Sequence, residues 1–97
     1  MQIRIQKSTR AGKKYMAKVG DKTVHFGATG YSDFTTSKDE KRKASYLARH
    51  KANEDWTLKG VDTAGFWARW LLWNKPSLST TIRDINRRFR SLSVIMR

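Results

Sequence analysis

Apolar and polar residues alternate in short stretches at the start of the chain and then give way to helical spacing. Ile3 and Ile5 alternate with Gln2, Arg4 and Gln6; Tyr15, Ala17 and Val19 alternate with Lys14, Met16 and Lys18. A period of two is that of a half-buried strand. Thr23 to Phe26 reads as a third strand, and Ala11-Gly12 and Gly20-Asp21 are turn signals between the three. Residues 1–27 are therefore expected to form a small antiparallel meander with hairpin connections, one face apolar and the other rich in lysine. Residues 28–37 read as a glycine-bearing loop, anchored on the body by Tyr31 and Phe34.

Residues 38–97 carry the helical pattern. Ser37 and Glu40 have the spacing of a capping box, which predicts a helix from about Lys38 to Ala52. Ala44, Leu47 and Ala48 fall on one side of it, and Lys38, Arg42, Ser45 and Arg49 form a stripe on another. A polar loop with Trp56 and Gly60 follows. Asp62 or Thr63 then caps a second helix, about Ala64 to Asn74, which ends before Pro76. That helix holds three of the four tryptophans, Trp67, Trp70 and Trp73. Apolar residues nearly all round it place it at the centre of the core. Base stacking by an exposed ring and a protein interface are the competing uses of such rings. Ser77 or Ser79 caps a third helix, in which Leu78, Ile82, Ile85, Phe89 and Leu92 step by four, three, four and three. The tail SVIMR either continues this helix or ends extended. The fold class expected is α+β: a single domain over residues 1–97, about three antiparallel strands followed by three helices, with the Trp-rich helix central.

Charge changes the picture from fold to partner. Twenty-one Lys and Arg face eight Asp and Glu, a formal net charge of +13. Self-repulsion on that scale weakens the compact state, and an anionic partner relieves it. Nucleic acid is the first such partner, ahead of an anionic membrane or an acidic protein. In the third helix Arg83, Arg87, Arg88 and Arg90 crowd the side opposite the apolar stripe, with Asp84 the only acid among them. Arginine forks suit phosphate better than lysine does. The expected phosphate-binding set is these four arginines with Lys38, Lys41, Arg42 and Arg49 of the first helix, widened by Lys14 and Lys18 of the sheet. Arg69, inside the Trp tract, is expected to pair with a carboxylate such as Asp62 or Asp84, to stack on a ring, or to reach the surface.

Catalytic chemistry finds little support. The absence of cysteine removes disulfides, thiolate metal sites and thiol nucleophiles. The histidines are His25 and His50, with no metal-ligand spacing and no nucleophile constellation around them. The loop GATGYSDF lacks the pattern of a phosphate cradle. No enzyme, metal or cofactor is expected. The start of the chain has no apolar leader, and Phe66 to Trp73 is too short to span a bilayer, so neither secretion nor membrane insertion is expected.

One further reading rests on strings rather than on physics. VHFGATGYSDFT, KDEKRKASYLARHKANEDW, TAGFWARWLLWNKPSL and IRDINRRF together resemble a family of small basic proteins of nucleocytoplasmic large DNA viruses, over about Lys22 to Phe89. Ser37 stands where several members carry histidine. The resemblance implies a viral protein carried in the virion or acting inside the host cell, with viral DNA or other virion proteins as partners. It implies no catalytic residue. Sequence-nonspecific DNA binding is the preferred expectation, and a minor capsid or cement role is the alternative.

Overall fold

The computed structural model describes residues 1–96. Its sheet has four strands in the order β3-β2-β1-β4: β1 Gln2–Lys7, β2 Lys13–Val19, β3 Lys22–Ala28 and β4 Ser93–Met96. The first three form the expected antiparallel meander. Gly20 opens the β2–β3 hairpin with φ +58°, the positive value that a two-residue turn of this hand requires. Alternation sets the register: Ile5, Ala17 and Val24 stand side by side across three strands, and all are buried. Arg4, Lys18 and Thr23 lie across the other face, as do Gln6, Met16 and His25.

The fourth strand makes the sheet mixed. Ser93 to Met96 runs parallel to β1, pairing Ile3 with Val94 and Ile5 with Met96. Of the two readings left open for the tail, the extended one holds. The Asn86 carboxamide supports it, accepting from Val94 N (2.7 Å) and donating to Val94 O (3.1 Å). Edge strands are safer when their spare backbone groups are covered.

Four helices lie over or beside the apolar face: α1 Phe34–Ser37, α2 Glu40–His50, α3 Ala64–Trp67 and α4 Leu78–Arg88. The segment expected to be loop therefore contains a short helix. Asp33 caps α1, its side chain accepting from Thr35 N (2.9 Å), and Thr36 closes the capping box. Lys38 follows in the left-handed region (φ 55°), and Asp39, not Ser37, caps α2, accepting from Lys41 N (3.0 Å) and Arg42 N (3.3 Å). Ser37 is already the last residue of the preceding helix, so it cannot open the next. Phe34 is buried as expected; Tyr31 is exposed and anchors nothing.

α2 turns a different face inward than the aliphatic pattern predicts. Ala44 and Ala48 are exposed, and Tyr46 is the buried residue. Its ring stacks on Trp73 at 4.4 Å and 5°, and on His50 at 4.2 Å. An aromatic buries more area per residue than two alanines, so the ring decides which side docks.

The Trp-rich segment is central, as expected, but it is not a uniform α-helix. α3 passes into a π-helical turn over Ala68–Leu72, closed by Trp73 N to Ala68 O at 3.1 Å. Phe66, Trp67, Trp70, Leu71 and Leu72 are all buried, packed with Ile3, Phe26 and Ile85. Trp67 Nε1 donates to Val61 O (2.6 Å) and Trp70 Nε1 to Trp56 O (2.9 Å). Thr81 Oγ1, fully buried on α4, donates to Trp70 O at 2.6 Å. Ser77 caps α4, and the helix stops at Arg88 rather than running on to Leu92.

Gly27 marks where strand and helical layer touch. Its φ is +79°, and a Cβ there would stand 2.8 Å from Leu72 Cδ1 and 3.2 Å from Lys14 Cβ. Gly27→Ala is expected to destabilise the protein by about 1–3 kcal/mol through strain and overpacking, read as a lowered denaturant midpoint. An unchanged midpoint would show that the strand edge relaxes freely.

Candidate nucleic-acid interface

Among the described residues, the Lys and Arg side chains within salt-bridge reach of a carboxylate are Lys14, Lys22, Arg87 and Arg88. The other described Lys and Arg side chains have no acidic partner at that distance. They are not all on one side of the molecule, and the residues expected to act together divide into three groups.

The first group is α4 and the turn that follows it. Arg83 and Arg90 are exposed, and Arg87 keeps most of its side chain in solvent while donating to Asp84 Oδ1 at 2.7 Å. Arg88 is held more tightly: Nε lies 3.3 Å from Asp84 Oδ2, and its guanidinium lies 4.6 Å from the Trp70 ring. Asp84 is buried, which opposes its ionisation. Hydrogen bonds from Asn74 and Arg87 and the charge of Arg88 outweigh that and hold it down at about 2.

Arg69 lies beside this group. It stacks 4.2 Å from the Trp70 ring and 5.4 Å from the Trp56 ring, and its NH1 donates to Trp73 O at 3.0 Å. Of the three fates open to it, ring stacking is the one realised. Its buried Nε has no hydrogen-bond partner among the described residues. Burial and then the Arg88 charge weaken its hold on its proton.

The second group is the stripe on α2. α2 stands away from β3 and the α3 segment, leaving an open cleft of about 550 Å³. Lys41, Arg42 and Arg49 border it from α2, and Lys13 from the sheet. Arg42 donates one NH1 to Ser32 Oγ (2.5 Å), and Arg49 Nε makes a long bond to Ser45 O (3.4 Å). Ala64 and Ala68 supply accessible apolar lining, with Phe26 and Leu72 buried behind them. The stripe was legible from spacing; the cleft was not, because it depends on which face of α2 docks.

The third group lies on the open face of the sheet. Lys18 donates to Thr23 Oγ1 (3.2 Å), with Arg4 beside it. This face is opposite the one that packs on the helices, so Lys18 does not widen a footprint centred on α4. His25, on the same face, meets Ser8 Oγ at 2.7 Å. Its pKa is lowered by desolvation and then by Arg10, Lys18 and Lys13.

Two expected phosphate ligands are spent on the fold. Lys14 Nζ binds Asp33 Oδ2 at 2.6 Å with both groups largely covered. Lys38 Nζ donates to Thr35 O (3.0 Å) and Pro76 O (2.8 Å), tying the start of α2 to the start of α4. Lys43 does similar work by donating to Asn74 O at 2.7 Å. No cluster of three or more His, Cys, Asp or Glu suited to a metal occurs among the described residues. None of their helices is long and apolar enough to cross a membrane.

Residues 3–50 match the model of a family of unknown function, DUF5754. The matched stretch covers β1 through α2, including the basic border of the cleft, and stops before the Trp-rich segment. No curated protein and no solved structure matches the chain.

Proposed function

We propose that this protein binds nucleic acid without sequence specificity, DNA being the favoured form, in the setting of a large DNA virus particle. The observation that carries the reading is the excess, among the described residues, of cations with no carboxylate within reach: Arg83 on α4, Arg90 in the turn just after it, and Lys41, Arg42 and Arg49 on α2. Arginine forks with spare donors take phosphate oxygens in pairs. The viral setting rests on the resemblance of the sequence strings alone.

A gel-shift titration with random duplex at rising salt tests the reading. About six phosphate contacts would cost roughly three decades of affinity between 50 and 200 mM salt. Replacing Arg83, Arg87 and Arg90 together with Gln is expected to reduce the salt slope by about 2 to 3. Absence of any complex at low salt would sink the proposal.

A minor capsid or cement role is the second reading. It draws on the separation of the sheet cations Arg4 and Lys18 from the helical arginines, which lets the chain meet acidic neighbours on two sides. Fixed symmetric positions in a particle map would support it, and release together with the genome would count against it.

A further inference from the structure

The cleft beneath α2 differs from the rest of the basic surface because it combines cations with an apolar wall. Its size, about 550 Å³, is within the range of small-molecule sites, roughly 300–1,000 Å³. Small residues make the room: Gly27, Ala64, Gly65 and Ala68 stand where larger side chains would bring the wall up to α2. Behind that wall the π turn and β3 place Leu72 and Phe26, both buried, and the exposed Tyr31 ring also lines the cleft. α2 cannot easily settle inward, because the Tyr46–Trp73 stack, Lys43 on Asn74 O and Lys38 on Pro76 O fix its height.

The charges at the cleft do not cancel. Its acids are already engaged: Asp33 with Lys14 and the α1 cap, Glu54 with His50 Nδ1 (3.0 Å) and Trp56 Nε1 (2.9 Å). Arg42 and Arg49 keep most of their donors free. They are seven residues apart on one side of α2, about 10 Å along its axis, with Ser45 between them. An occupant must therefore carry a flat or apolar body for the wall and anionic oxygens for the two forks.

The geometry points to a nucleoside phosphate as that occupant, its base against the exposed Tyr31 ring and the small-residue wall of Ala64 and Ala68, and its phosphate on Arg42 and Arg49. The source is either a free nucleotide or one unit of a single strand. The inference rests on the nucleic-acid reading above and deepens it: duplex DNA keeps its bases stacked, so the cleft adds affinity for unpaired strands only. Base stacking on protein side chains contributes about 1–3 kcal/mol per base.

The test is a charge-preserving plug. Ser45 is exposed and its side chain makes no hydrogen bond among the described residues, so Ser45→Phe fills the cleft from the α2 side without removing a cation. Ala68→Leu does the same from the opposite wall if Ser45→Phe fails to fold by circular dichroism. Thymidine monophosphate is titrated against tryptophan fluorescence, which Trp73 at the cleft border should report, and labelled oligothymidylate and duplex against anisotropy. The wild-type protein is expected to bind the strand about tenfold more tightly than the plugged variant does, with duplex affinity equal in both. Saturable quenching by the mononucleotide, lost in the variant, assigns the cleft to free nucleotide as well. Equal strand affinity in both proteins, with no mononucleotide effect, overturns the inference and leaves nucleic-acid binding standing. Tight binding of an aromatic acidic peptide, blocked by the plug while the strand is unaffected, also overturns it. Failure to bind strand or duplex at low salt removes the underlying reading instead.

Discussion

Trp67→Ala is expected to unfold the protein or bring it close to unfolding at 25 °C. Trp67 is fully buried, edge-on to Phe66 at 5.0 Å and tilted on Phe26 at 6.4 Å. Truncating such a residue costs about 3–5 kcal/mol, most of it lost burial and an unfilled cavity. The indole N–H bond to Val61 O goes as well, leaving that carbonyl to find water. A domain of this size has roughly 5–15 kcal/mol in all. Thermal melting followed by circular dichroism should therefore show a midpoint lowered by about 15–30 °C, or no transition. Trp73 is only partly buried and rests on Tyr46, so Trp73→Phe should lower the midpoint by a few degrees at most. A Trp67→Ala protein that melts within about 5 °C of wild type would show that the segment is not the centre of the core.

The second large effect is on stability against pH, through Asp84. Its carboxyl ionises at about 2 in the folded protein, against 3.8 for the unperturbed group. A depressed folded value means that the contribution is complete above about pH 4 and is lost as pH falls toward 2. The shift corresponds to about 2 kcal/mol. Asp84→Asn is expected to be about 2 kcal/mol less stable than wild type at pH 7 in urea titrations. That gap should shrink at pH 2.5, where wild type has begun to lose the same charge. A gap that stays constant with pH would mean that shape, not charge, is what Asp84 contributes. The substitution also frees Arg87 and Arg88, so it should not weaken nucleic-acid binding.

The strands were legible because both of their faces obey a period of two and glycines punctuate them. The Trp-rich centre was legible because tryptophan and leucine surround that segment. What was not legible follows from competition between signals. Ser37 and Glu40 make a good capping box on paper, but Asp33 and Asp39 are stronger caps at both flanks and divide the segment at Lys38. The alanines of α2 imitate a core stripe, but one tyrosine with a tryptophan to stack on overrides them. Of the candidate site, the Arg42–Ser45–Arg49 stripe was visible in spacing alone. That Lys14 and Lys38 are committed to Asp33 and Pro76 was not, because charge counts carry no information about long-range partners.

The pairing of β4 with β1 bears on how the chain acquires this fold. The Met1 amine donates to Ser91 O at 2.6 Å and Ser93 N to Met1 O at 2.8 Å, so the first and last parts of the sheet are neighbours. On a ribosome the hairpins of residues 2–28 are complete early, yet one side of β1 stays unpaired until residues 93–96 emerge. An exposed strand of that kind is open to pairing with other nascent copies until residues 93–96 are made. Such distant contacts also slow folding, since the intervening loop must close before they reward it. A fusion placed directly before Met1 removes the charged amine from its bond, so recombinant protein tagged at that position should refold more slowly than the same chain tagged elsewhere.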